Sequence, residues 1–157
     1  MKISWIEPTL FAASGIPIDA KDIHALHQQG IRAILSLTEQ PLWSQREITP
    51  TLMTQHDIHY CHIPVPDHYP PSQEQAVQIA HLINNMALAH RPLLVHCHAG
   101  VGRTGTVLHL YYLIQGYTYE AAYAEVKRKR VQCILLSQAQ KQFLQSYPIG
   151  GSQLLPR

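Results

Sequence analysis

Short apolar runs alternate with longer amphipathic stretches along this chain, and turn or capping residues separate them. Asp19 is placed to cap a helix running through Gln29, which Gly30 ends. Ile31-Arg32-Ala33-Ile34-Leu35-Ser36-Leu37 then reads as a buried strand. A polar loop from Thr38 to Pro50 carries Glu39, Trp43 and Arg46, and Thr51 to His56 predicts a short helix before a strand at Ile58-His59-Tyr60-Cys61-His62. Ser72 and Gln75 have capping-box spacing for a helix from Gln73 to about Ala89. Pro92-Leu93-Leu94-Val95 is apolar and bounded by proline, as a buried strand is, and Thr106 to Ile114 has helical length before a C-cap at Gly116. Thr118 starts a further helix, and Ser137 caps a last short one with Gln140 at its capping-box position. This α/β order, with crossovers long enough for parallel strands, predicts a mostly parallel central sheet flanked by helices.

The 157 residues match one domain spanning 1–157, and no internal repeat or low-complexity linker divides them. A hydrophobic content of 46% against 14% charged residues indicates a globular chain rather than a disordered one. The formal charge of +2 is too small to call for a nucleic-acid partner. Met1 to Pro8 lacks the apolar centre of a signal peptide, and no run approaches the ~20 apolar residues of a membrane span. A monomeric, cytoplasmic protein without stable membrane insertion is therefore expected. Cys61, Cys97 and Cys133 make no even disulfide framework, which agrees with a reducing compartment.

The most informative stretch is Val95-His96-Cys97-His98-Ala99-Gly100-Val101-Gly102-Arg103-Thr104-Gly105. It places a cysteine and an arginine at the two ends of a glycine-bearing loop, between a strand end and a helix start. Unpaired backbone N–H groups and the positive end of the helix dipole favour an anion there. The same field favours the thiolate form of a cysteine, the nucleophilic form. Arg103 offers a planar fork for two oxygens of a phosphoryl group, and Gly100 and Gly102 remove Cβ atoms where backbone must close around a tetrahedral anion. A merely buried cysteine in such a joint would need neither the arginine nor the paired glycines.

The pattern HCxAGxGRTG resembles the signature of the cysteine-dependent protein tyrosine phosphatase superfamily, most closely its compact dual-specificity and Cdc14-like branch. The resemblance runs from about Phe11 to Leu144 and implies that superfamily's single-domain fold. It implies that Cys97 attacks phosphorus to form a cysteinyl-phosphate, that Arg103 and the loop from His98 through Ala99, Gly100, Val101 and Gly102 bind phosphate, and that Thr104 eases departure of the thiolate. It also implies a general acid on a separate loop. Asp67 fits, in the proline-rich segment Ile63-Pro64-Val65-Pro66-Asp67-His68-Tyr69-Pro70-Pro71, although an Asp in a proline turn also needs no catalytic role. A helix-start glutamine that orients water maps to Gln140, where helix capping alone would explain the same residue. His96 is expected to stiffen the loop from behind, and His98 to face the pocket rim.

Eleven histidines raise the question of a metal. The spacing His56, His59, His62 does not argue for one, because strand alternation sends His59 and His62 to opposite faces. Neither metal nor cofactor is expected. The basic run Lys127-Arg128-Lys129-Arg130 reads as a solvated helix face that could also attract an acidic partner. The expected substrate is a phosphorylated protein or peptide, phosphotyrosine first, with phosphoserine and phosphothreonine as further substrates. A phosphoinositide or other small phosphomonoester is the alternative, weakened because His98 and Val101 stand where lipid-directed relatives often carry lysines. RNA 5′-triphosphatase, sulfur transfer and a non-catalytic phosphate-binding module fit less well.

Overall fold

A computed structural model describes residues 1–150, so residues 151–157 of the domain span read from the sequence lie outside the described residues. The strands are β1 (Ser4–Glu7), β2 (Phe11–Ser14), β3 (Ala33–Ser36), β4 (His59–His62) and β5 (Leu93–His96). The helices are α1 (Ala20–Gln28), α2 (Pro50–Gln55), α3 (Gln73–Leu88), α4 (Gly102–Ile114), α5 (Tyr119–Lys129) and α6 (Gln138–Ser146), with 3₁₀ turns at Leu42–Ser44 and Val131–Ile134. The sheet order is β1-β2-β5-β3-β4; β1 runs antiparallel to β2, and the other neighbours are parallel.

Residues of β2, β3 and β5 are buried on both faces, as interior strands of a parallel sheet require. Alternation divides their side chains between two cores. Ile34 and Leu94 pack with Ile23 and Leu26 of α1 and Met53 of α2. Leu35 and Val95 pack on the opposite face with Ile79, Val107, Leu110, Val126 and Leu144 from α3 to α6. Full burial of each such aliphatic side chain contributes about 1.5–3 kcal/mol. At their carboxyl ends the strands turn polar, and Ser14, His96, Ser36 and His62 lie in register as one row across the sheet. That row underlies the loop containing Cys97.

Five helices begin with a side-chain cap: Asp19, Thr49, Ser72, Thr118 and Ser137 each accept a first-turn N–H. Each such cap is worth about 1 kcal/mol relative to alanine. Helix α4 differs, because Val101 at its N-cap supplies no side-chain bond. It is also buried along nearly its whole length, from Arg103 to Ile114, as a helix at the centre of a core is.

Two sequence expectations change, and one element of the fold carried no expectation. Helix α4 starts at Gly102 rather than Thr106, so Arg103, Thr104 and Gly105 lie in its first turn, closed by a 2.7 Å bond from Gly105 N to Val101 O. The glycines of the motif mask this start because they lower helix propensity. Gly105 has its own reason to be there: a Cβ would collide with the Cys133 carbonyl, so glycine lets α4 approach the Val131–Ile134 turn. The β1–β2 hairpin had no legible pattern, since its strands are four residues long and the turn carries Pro8 and a left-handed Thr9. Arg130, finally, is buried and belongs to no solvated face.

Candidate active site

Cys97 follows β5 directly and is almost wholly buried. The carbonyls around it are tied back to the scaffold. His96 O accepts from Leu37 N at 3.0 Å, and His98 O accepts from Ile16 N at 2.9 Å. Gly100 O accepts from Arg130 Nε at 3.1 Å and from the Cys133 thiol at 3.3 Å. In a planar trans peptide the N–H points opposite to its carbonyl, so these bonds turn the loop amides of Cys97, Ala99 and Val101 toward the concave side. Gly100 has φ +71°, and a Cβ there would meet Ser14 O at 2.5 Å and the Arg130 guanidinium at 2.7 Å. Only glycine permits both the conformation and the approach. The uncapped start of α4 adds further amides and its dipole.

His96 lies behind the cysteine with no exposed surface. Its Nδ1–H donates to Cys97 O at 2.8 Å, and its Nε2 lies 2.5 Å from Ser36 Oγ and accepts from that hydroxyl. Burial, then the charge of Arg103, lowers its pKa from 6.5 to about 4, so the ring is neutral and the tautomer set. Because the folded value lies below the ordinary one, the stabilisation is complete above 6.5 and is lost as pH falls toward 4, by roughly 3 kcal/mol in all. Urea unfolding at about pH 7 and about pH 4 should show this loss, and His96→Asn should show less of it.

Thr104 is fully buried and donates its hydroxyl to Cys97 Sγ at 3.1 Å. Burial pushes the Cys133 thiol up to about 12 and raises that of Cys61. Neither is a thiolate at neutral pH.

Arg103 is buried, with Nη1 donating to Glu39 Oε1 at 2.5 Å and to Val65 O at 3.0 Å. Its Nε has no hydrogen-bond partner, and Asp67 Oδ1 lies 3.6 Å from it. The hydrogen bond from Arg103 holds the Glu39 carboxyl below the usual carboxylate range. Glu39 Oε2 also accepts from Asp67 N at 3.3 Å, so one carboxylate links the arginine to the Asp67 loop.

That loop is docked on the start of α6. Ser137 Oγ donates to His68 O at 2.6 Å, and Gln140 Nε2 reaches Tyr69 O at 3.5 Å. His68 has φ +68°, and its N–H donates to Asp67 Oδ1 at 3.0 Å. Gln140 is buried and completes the capping box, with Oε1 accepting from Ser137 N at 2.9 Å. Its amide also stands against Gly102, where a Cβ would lie 3.2 Å from Oε1. Capping and placement beside the loop from Cys97 to Gly102 thus coexist in one residue.

Asp67, Cys97, Arg103 and Gln140 line one cavity of about 480 Å³. His98, Ala99, Val101 and Gly102 line it as well, and Leu135 and Leu136 add apolar surface. The motif residues, Asp67 and Gln140 come together at this cavity as the sequence suggested, whereas Ser36, Glu39 and Arg130 reach the site only through the fold. Glu39 lies far from the motif in a polar loop, and Arg130 was absorbed into a basic run. No local pattern distinguishes either from an ordinary surface charge.

A family model described as "Swiss Army Knife protein, DSP-PTPase phosphatase domain" matches residues 1–147. The chain belongs to this family. As a DSP-PTPase domain it is a cysteine-dependent phosphatase that acts on phosphorylated substrates. The crystal structure of Tk-PTP in its active form is 25% identical, covers 90% of this chain and 92% of its own, and superposes with a TM-score of 0.78. Kinase associated phosphatase, with its catalytic-site cysteine substituted by serine, is 22% identical over 92% of each chain, at a TM-score of 0.77. PTPMT1 in complex with PI(5)P is 14% identical over 91% of this chain and 92% of that one, at a TM-score of 0.78. The last two share the fold over about nine-tenths of this chain. Among the described residues, no helix is long and apolar enough to cross a membrane.

Proposed function

We propose that the chain hydrolyses phosphotyrosine in proteins or peptides, with phosphoserine and phosphothreonine as slower substrates, through a cysteinyl-phosphate on Cys97. The observation that carries this reading is the convergence of Cys97, Arg103 and Asp67 on one cavity. The Cys97 thiolate attacks phosphorus as the ester P–O bond breaks, and the departing oxygen takes its proton from Asp67. Arg103 and the loop amides bind the equatorial oxygens, where charge accumulates. Asp67, now a carboxylate, accepts a proton from water held near Gln140, and the hydroxide equivalent attacks phosphorus. The S–P bond breaks, and the Thr104 hydroxyl, already 3.1 Å from sulfur, supports the returning thiolate.

The cavity wall favours an aromatic ester over a polyphosphorylated ring. Leu135, Leu136 and Val101 offer apolar surface, and the wall carries Arg103 but no lysine among the described residues. Additional phosphates of an inositol would meet few cations. The alternative reading, a phosphoinositide substrate, draws on the PI(5)P complex of PTPMT1, a protein of the same fold. Initial rates on a phosphotyrosine peptide, a phosphothreonine peptide and dispersed phosphoinositides decide between them, with Cys97→Ser as the background. The highest kcat/KM is expected on phosphotyrosine; equal or higher values on phosphoinositides would reverse the ranking.

A further inference from the structure

At the opposite edge of the sheet from the cavity, where the parallel strands begin, two histidines from different helices meet. His24 lies on α1, and His56 ends α2. Their Nδ1 and Nε2 atoms stand 3.4 Å apart, with ring planes 77° apart. The second nitrogen of His56, Nδ1, lies 3.0 Å from the Leu52 carbonyl. A carbonyl can only accept, so that nitrogen carries the hydrogen and the neutral ring turns the lone pair of Nε2 toward His24. His27 holds the His56 backbone as well, with its Nδ1 2.8 Å from the His56 carbonyl.

The separation of 3.4 Å is within reach of a hydrogen bond between the two rings, at its long end. It also matches a second geometry. Two imidazole nitrogens, each about 2.0–2.1 Å from a tetrahedral cation, lie about 3.3–3.4 Å apart. We propose that His24 Nδ1 and His56 Nε2 form a two-imidazole binding site for a nitrogen-preferring first-row divalent cation of the Zn²⁺ type. Both ligating nitrogens are then free of protons, and the proton of His24 resides on Nε2. The Leu52 carbonyl is the outer partner that fixes the tautomer and orientation of His56. Among the described residues, no group of three His, Cys, Asp or Glu side chains converges to hold an ion. Asp57, next to His56, is engaged by Arg91 at 3.1 Å. Water therefore completes the coordination, and the site is open and exchangeable. The evenly spaced His56, His59 and His62 of the sequence are not the ligand set; the partner of His56 comes from α1.

A cation bound here joins α1 to α2 and stabilises the folded chain by mass action. The test is a calorimetric titration of Zn²⁺ into the full chain carrying Cys97→Ser, which removes a competing sulfur ligand. His24→Ala, His56→Ala and His59→Ala are added separately to that background, with thermal unfolding without metal as the check of folding. One site is expected in the Cys97→Ser protein, weakened at least about tenfold by His24→Ala and by His56→Ala and unaffected by His59→Ala. Zn²⁺ should raise the unfolding temperature only where the pair is intact. Absence of binding, or its retention in either His24→Ala or His56→Ala, overturns the proposal. Imidazole nitrogen NMR provides an independent readout: Zn²⁺ must shift His24 Nδ1 and His56 Nε2.

Discussion

Cys97→Ser is expected to lower turnover by roughly 10⁴–10⁶-fold while phosphate-ester binding survives. A group of residues that acts as a unit loses most of its rate when the nucleophile goes, because the bond-forming step has no substitute. The hydroxyl of serine would lie in the same field, but it holds its proton far more tightly than a thiol does. The cradle, by contrast, is made of backbone amides whose carbonyl sides are tied to Leu37, Ile16, Arg130 and Cys133. None of those bonds uses the Cys97 side chain, so the variant should retain inorganic phosphate or a phosphotyrosine peptide with near-original affinity. Stopped-flow phosphate release and calorimetric binding on the same preparation check both halves. Turnover within tenfold of the original chain would remove the cysteinyl-phosphate route.

Asp67→Asn should slow a poor leaving group by about 10²–10⁴-fold, the range of general acid catalysis. An ester with a good leaving group needs little protonation as its bond breaks, so its loss should be far smaller. The two losses, compared at one pH on a phenyl-type and a nitroaryl-type phosphate, separate chemistry from loop structure. Asn keeps an oxygen that can accept from His68 N, as Asp67 Oδ1 does at 3.0 Å, so the turn is expected to persist. Equal losses on both esters would make Asp67 a positioning residue of the turn. Glu39 would then be the acid to test, although its bond to Arg103 keeps it ionised and suits it better to orienting the guanidinium.

Much of the site was legible in sequence because its chemistry is local. Cys97, Gly100, Gly102, Arg103 and Thr104 fall within eight residues that run from the end of β5 into the first turn of α4, and their types and spacing have few other uses. The helix caps were legible for the same reason: Ser72 with Gln75 and Ser137 with Gln140 act over a single turn, and both boxes form. Where glycine interrupted the helical pattern, the start of α4 was misplaced, since propensity yields to the burial of α4 on every side.

The sequence by itself determined the alternation of strands and helices, the mostly parallel sheet and the glycine-bearing loop from Cys97 to Arg103 between strand and helix. These depend on periodicity, capping and short-range spacing, which act between neighbours in the chain. Tertiary structure alone decided which distant groups complete the loop. Glu39 and the Val65 carbonyl take hold of Arg103, Ser36 fixes the ring of His96, and Arg130 pins Gly100. Each of these partners approaches through sheet order or helix packing, with no chemical mark of its own in the chain. A charge is read as solvated until the fold buries it, and the row of Ser14, His96, Ser36 and His62 exists only once strands from four parts of the chain lie in register.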